Sequence, residues 1–197
     1  DKYDAKKHNK FPYMSQPKLD GIRCIISKDG MQSRNGKPIV SCPHIMEALN
    51  TFFSICPDAI LDGELYNHGL KDEFEKIVSL VRKTKPTTQD YIEASNLVQY
   101  HVYDAIIEGS FEERLDFLKE VSRYLPAPII EVVPTRIVVD NNVVQMLLSD
   151  YLNAGYEGQM LRVPDSLYEG KRSKNLIKHK EFEDAEFEIV GIYEGLG

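Results

Sequence analysis

The chain has 197 residues, enough for one substantial domain, or one domain and the beginning of another, with ample length to bury a core. Hydrophobic residues make up 42% and charged residues 28%, a globular balance, and the formal net charge of −7 argues against a chain that coats nucleic acid by bulk electrostatics, so any such contact must be local. No run approaches the ~20 apolar residues of a membrane span, and the leading "DKYDAKKHNK" has no apolar core like that of a signal peptide. The expectation is a cytoplasmic, intracellular protein with no membrane association.

In chain order, strand-like segments are "GIRCIIS", "MQSR", "AILDGELY", "LVQYHVYDAI", "IIEVVPTRIVV", "YEGQMLRV", "NLIKHK" and "EFEIVGIY". Helical periodicity falls between them, in Ile45, Leu49, Phe52 and Phe53, in Phe74, Ile77, Val78 and Val81, and in Leu115, Leu118, Val121 and Leu125. The third of these helices opens at Ser110, with Glu113 at capping-box spacing, and a fourth runs from an Asp140 cap to a stop at Gly155. "SKDGM" and "SRNGKP" are hairpin-type turns, which favour antiparallel pairing over a doubly wound parallel sheet. The expected fold class is α+β, two or more mostly antiparallel sheets with helices packed outside. Cys24, Cys42 and Cys56, odd in number and without C-x-x-C spacing, read as reduced thiols.

No G-x-x-x-x-G-K-[ST] or G-x-G-x-x-G occurs, so a bound nucleotide must be held by side chains. The stretch "QPKLDGIR" places Lys18 two residues before an Asp-Gly turn. Alone, that Lys-x-Asp-Gly is weak, and a solvated lysine beside a turn explains it better. Downstream, however, come "SRNGK", "LDGEL", "YHVYDAI", "EGQMLR" and "LIKHK", most at the ends of predicted strands, where side chains from neighbouring strands converge.

Together these six segments resemble the nucleotidyltransferase motifs of the ATP-dependent DNA ligases, of the compact viral or bacterial type, over residues from about 10 to 190. The resemblance implies an ATP-grasp-like adenylation domain over residues 1–186, with 187–197 as a linker into, or first strand of, a truncated OB-fold domain. It implies that Lys18 is the nucleophile, attacking the ATP α-phosphate to give lysyl-AMP and pyrophosphate. A lysine amine with an ordinary pKa near ~10.4 is protonated at neutral pH, so such a site must favour the neutral amine by desolvation or nearby positive charge.

The resemblance also implies Gln16 at the adenine edge, Leu19 beside the nucleotide, and Glu64 at the ribose hydroxyls and as a metal ligand. Tyr103 stacks on the base, and Met160 closes its other face. Glu157 becomes the carboxylate for a magnesium ion. Lys178 and Lys180, two apart and so on one face of a strand, contact the α-phosphate. Arg23 and Arg34 contact the nucleotide or the 5′-phosphate of a nick. Lys171, Arg172 and Lys174 stay solvated or touch nucleic acid. Implied partners are ATP and, for the full-length protein, nicked duplex DNA, with the chain a monomer acting in replication, repair or recombination. An RNA ligase, a capping guanylyltransferase and a nucleotide-binding relative without catalysis remain as alternatives.

Overall fold

The computed structural model describes residues 1–180; the expected domain end at 186, the strand "EFEIVGIY" and the segment 187–197 lie outside the described residues. Among the described residues, nine strands form two sheets. The first has four strands, β1 (Tyr13–Lys18), β7 (Arg136–Val138), β8 (Gly158–Arg162) and β9 (Leu176–His179), in the order β7-β1-β8-β9 and antiparallel throughout. The second has five, β2 (Ile22–Ser27), β3 (Gly30–Ser33), β4 (Leu61–Tyr66), β5 (Gln99–Ala105) and β6 (Ile130–Val132), in the order β3-β2-β4-β5-β6. Antiparallel pairing, expected from the hairpin turns, holds except between β5 and β6, which run parallel.

The helices sort between the sheets. Against the five-stranded sheet pack α1 (Pro43–Ala48), α2 (Asn50–Ile55), α3 (Phe74–Val81), α4 (Thr88–Leu97) and α5 (Phe111–Val121), enclosing a core that includes Phe52, Leu65, Ile77, Tyr100 and Leu118. Helix α6 (Asn141–Asn153) buries Val144, Leu147 and Tyr151 against Tyr13, Leu161 and Ile177 of the four-stranded sheet. Phe111 and Leu115 of α5 reach across to Met14 on β1, so one helix touches both layers.

Several local signals act as expected. Ser110 Oγ accepts from Glu113 N at 3.3 Å while Glu113 Oε2 accepts from Ser110 N at 2.7 Å, closing the capping box of α5. Asp140 caps α6 through Val143 N at 2.9 Å, and Gly155 ends that helix at φ +88°. The three thiols are free.

Three elements depart from expectation. The periodic stretch from Ile45 to Phe53 is two helices, because Leu49 N is shared between Ile45 O and Met46 O, a tightened turn that stops α1. "IIEVVPTRIVV" is two strands in different sheets, broken at Pro134. Strand β1, not among the strand-like segments, sits second in the four-stranded sheet despite its Pro17. Lys18 O accepts from Glu157 N on the β8 side, so Pro17 faces the β7 side, where pairing has already ended at Ser15↔Arg136 and a missing donor costs no ladder bond.

Candidate active site

The Asp-Gly step after Lys18 is no hairpin; it carries the chain from β1 in one sheet to β2 in the other. The crossing is tight: a Cβ on Gly21 would lie 2.4 Å from Leu65 O and 2.7 Å from Glu64 Cγ, so only glycine lets β2 start this close to β4. That crossing leaves a cavity of about 240 Å³ between the sheets. Gln16, Lys18 and Leu19 line it from the end of β1, Met160 from β8, and Arg23, Glu64 and Tyr103 from the opposite sheet.

Register explains which side chains converge from the four-stranded sheet. Gln16 pairs with Met160, and Met160 with Lys178, so these three share one face. Lys18 pairs with Gly158 one step along, where Gly158 has φ +152° and the space a Cβ would need is filled by His179 O at 2.4 Å. Lys18 Nζ and Glu157 Oε2 form an ion pair, and Lys180 Nζ donates to Glu157 Oε1 at 2.6 Å. Burial alone would raise the Glu157 carboxyl, but the hydrogen bonds from Lys18 and Lys180 outweigh it and hold the group below the usual carboxylate range. The same contact raises the Lys180 ammonium. Lys178, on the same sheet face as Met160 by register, is exposed and does not line the cavity.

On the other sheet a β-bulge does the positioning. Asp62 pairs with Asp104 but Gly63 pairs with Val102, so Tyr103 is an extra residue in β5, and the bulge lets both Tyr103 and Asp104 line the cavity. Tyr103 Oη donates to Glu64 Oε2 at 3.4 Å. Burial pushes the Glu64 carboxyl up to about 8; the Lys18 ammonium opposes that shift and the Asp62 carboxylate adds to it. Arg23 is held by Asp62 in a two-point contact, Nε to Oδ1 at 2.9 Å and Nη2 to Oδ2 at 2.7 Å, and Tyr168 Oη donates to Asp62 Oδ2 at 2.9 Å.

Arg34 does not reach this cavity. It lines a second one, of about 650 Å³, with Lys37, Arg82 and Lys83, and the two cavities share Arg23 and Glu64. Of the basic run after Gly170, Lys171 lines the first cavity and Arg172 and Lys174 are exposed.

Sequence reading missed the groups that join the sheets. Asp104 accepts from Arg114 Nε at 2.7 Å and Nη2 at 3.2 Å, and from Arg162 Nη1 at 2.8 Å, all three residues being buried. The available signal was two charges, Asp104 and Arg162, directly after the apolar residues of strand-like segments. Asp20 was also missed; burial raises its carboxyl and the Glu157 carboxylate adds to that, while Lys18 and Lys180 oppose it.

The donor set suits a hard divalent cation that brings its own ligands. Among the described residues no group of three or more His, Cys, Asp or Glu side chains forms a cage. Glu157 and Glu64 offer carboxylate oxygen only, which fits magnesium, since that ion completes its shell with phosphate oxygens and water.

The description of the matching family model is an ATP-dependent DNA ligase domain, and it covers residues 2–180. The chain belongs to that family. The ligase domain is 28% identical over 185 residues to a DNA ligase of Haemophilus influenzae, covering 94% of this chain and 64% of that protein. It is 28% identical to a DNA ligase of Enterobacteria phage T6, covering 97% of the chain and 49% of the relative, so the ligase domain spans about half to two thirds of the length of these relatives. Among solved structures, a Lig E DNA ligase superposes with a TM-score of 0.75 at 28% identity over 92% of this chain and 67% of that one. The Chlorella virus DNA ligase-adenylate shares the fold, with a TM-score of 0.69 at 23% identity over 94% of this chain and 68% of that one. No helix among the described residues is long and apolar enough to cross a membrane.

Proposed function

We propose that the ligase domain performs the nucleotide-transfer step of an ATP-dependent DNA ligase. The amine of Lys18 attacks the α-phosphorus of ATP, a P–N bond forms, the P–O bond to pyrophosphate breaks, and the amine proton passes to solvent. The observation that carries this reading is the placement of Lys18 at the cavity edge, paired to Glu157 and two residues along β1 from Gln16, which lines the same cavity with Met160 and Tyr103.

Roles follow from position. Tyr103 and Met160, from opposite sheets, offer the two faces between which adenine stacks. Glu64, hydrogen-bonded to Tyr103 beside the recess, reaches the ribose hydroxyls, and a cation arriving there would offset the burial that raises its carboxyl. Lys180, beside Glu157, and Lys178, on the same face as Met160, supply positive charge for the α-phosphate. A magnesium ion held by Glu157 and Glu64 would neutralise charge on the triphosphate.

The second cavity extends the reading to nucleic acid. Arg34, Lys37, Arg82 and Lys83 form a basic groove that reaches the first cavity through Arg23 and Glu64, suited to the 5′-phosphate end of a nicked DNA strand. AMP would pass from Lys18 to that phosphate, and the 3′-hydroxyl would then displace it. Incubation with magnesium and ATP labelled at the α-phosphate tests the first step. An alkali-stable label on the protein that acid and hydroxylamine release, and that is lost in Lys18→Ala, is the expected result; an undiminished label in that variant rules the reading out.

A further inference from the structure

Gln16 is 1% exposed, and all sides of its amide but the cavity side are engaged by protein. Both of its N–H donors are spent, on Tyr103 O at 3.1 Å and Thr135 Oγ1 at 3.0 Å. Its carbonyl oxygen accepts from Arg162 Nε at 2.8 Å, leaving one lone pair. Turning the amide over would set its NH2 against an obligate donor, Arg162 Nε, and its carbonyl against an obligate acceptor, Tyr103 O, so like would face like at both contacts.

Arg162 is fixed in turn. Its Nη1 donates to Asp104 at 2.8 Å, its guanidinium lies over the Phe111 ring at 4.6 Å and the Tyr103 ring at 5.3 Å, and Asp104 is clamped from the far side by Arg114. Arg114 is anchored by Gly109 O and Ser166 O, each at 2.9 Å. The chain of contacts therefore runs from the main chain around α5, through Arg114, Asp104 and Arg162, to the amide of Gln16.

We propose that Arg114, Asp104 and Arg162 form a positioning relay that fixes Gln16 as an acceptor-only group toward the base and thereby selects purines with a 6-amino edge over those with a 6-oxo edge. The inference rests on the proposed nucleotide site and deepens it. A 6-amino group donates to the free lone pair of Gln16 Oε1. A 6-oxo group sets acceptor against acceptor in a buried place, where an unsatisfied polar atom weakens binding about tenfold or more. Without Arg162 one of the two like-against-like contacts that oppose rotation is gone and the Thr135 hydroxyl can turn to donate, leaving Tyr103 O alone against the turned amide, so the preference for the amino edge falls.

The test is the ratio of dissociation constants for the α,β-methylene analogues of ATP and GTP, measured by calorimetry on the wild type, Gln16→Ala, Arg162→Met and the double variant. The ratio does not depend on the folded fraction, because unfolded chains bind neither analogue; a merely structural role of Arg162 weakens both equally. The expected result is a wild-type preference for the adenine analogue that falls about tenfold in each single variant, with no further fall in the double variant. Arg162→Lys, which can reach Gln16 or Asp104 but not both, should fall less, and it carries the comparison if Arg162→Met does not fold. A collapsed ratio in Gln16→Ala with an unchanged ratio in the Arg162 variants overturns the relay and leaves the nucleotide site standing. An unchanged ratio in Gln16→Ala, or no binding of either analogue by the wild type, overturns both.

Discussion

The two sheets share one cavity but are built differently. Among the described residues, the core beneath the five-stranded sheet holds 22 buried apolar residues and that of the four-stranded sheet seven. The heavily cored sheet carries the groups that must hold still, Tyr103 on its bulge, Glu64, and Arg23 clamped by Asp62. The lightly cored sheet carries Lys18, Glu157 and Lys180, an ion-paired set that, under the proposed function, would exchange partners with a triphosphate. Tyr103, Glu64 and Arg23 gain from a deep core, because packing fixes their rotamers, whereas Gln16 on the lightly cored sheet is fixed by its hydrogen bonds. Groups that exchange partners sit where little apolar packing opposes a shift.

The largest effect should come from the buried charges that tie the sheets together. Asp104→Ala leaves Arg114 and Arg162 buried without their carboxylate and should cost about 3–5 kcal/mol in urea unfolding. If Asp104→Ala unfolds as readily as wild type, the sheets are not joined there. Next come the two cores: Leu65→Ala beneath the larger sheet and Leu147→Ala under α6 should each cost about 2–5 kcal/mol, with Leu65 at the upper end because its surroundings are more fully packed. The reverse order would contradict the contrast in core size.

A pH series separates the two carboxylates. Glu64 has a raised folded-state pKa, so it favours the folded state fully below its unfolded value and that contribution is lost as pH rises toward about 8. Glu64→Gln should flatten the wild-type decline in urea midpoint between about pH 5 and pH 8. Glu157 is depressed, so its contribution is present above the ordinary carboxylate pKa and lost as pH falls through the folded value. Glu157→Gln should therefore flatten the acid limb and leave the alkaline one alone. The smallest effect belongs to Lys119→Ala, which removes an exposed pair with Asp116 and should move stability by less than about 0.5 kcal/mol.

Much of this architecture was legible where the signal is local. Ser110 with Glu113, Asp140 with Gly155, and the Asp29-Gly30 turn act within a few residues, and each forms as its chemistry dictates. Helix α4 escaped because only Ala94 is buried along it, which leaves no apolar stripe; its Thr87 to Asp90 capping box was the signal available. The parallel β5–β6 pair and the split at Pro134 depend on which sheet each half joins, a choice made by packing far along the chain. In the site, the motif residues could be found because their order along the chain resembles a family. The partners of Arg23, Gln16 and Arg162 could not, because Asp62, Thr135 and Asp104 lie 39, 119 and 58 positions away and leave no mark on the local pattern.

The central claim is that Lys18 accepts AMP from ATP. The most direct measurement is intact-mass spectrometry after incubation with ATP and magnesium, followed by proteolysis and mapping of the modified peptide. A mass gain of one AMP, located on the peptide that carries Lys18 and removed by hydroxylamine, is the predicted result. An adduct mapped to Lys178, Lys180 or any other residue, with Lys18 unmodified, would contradict it.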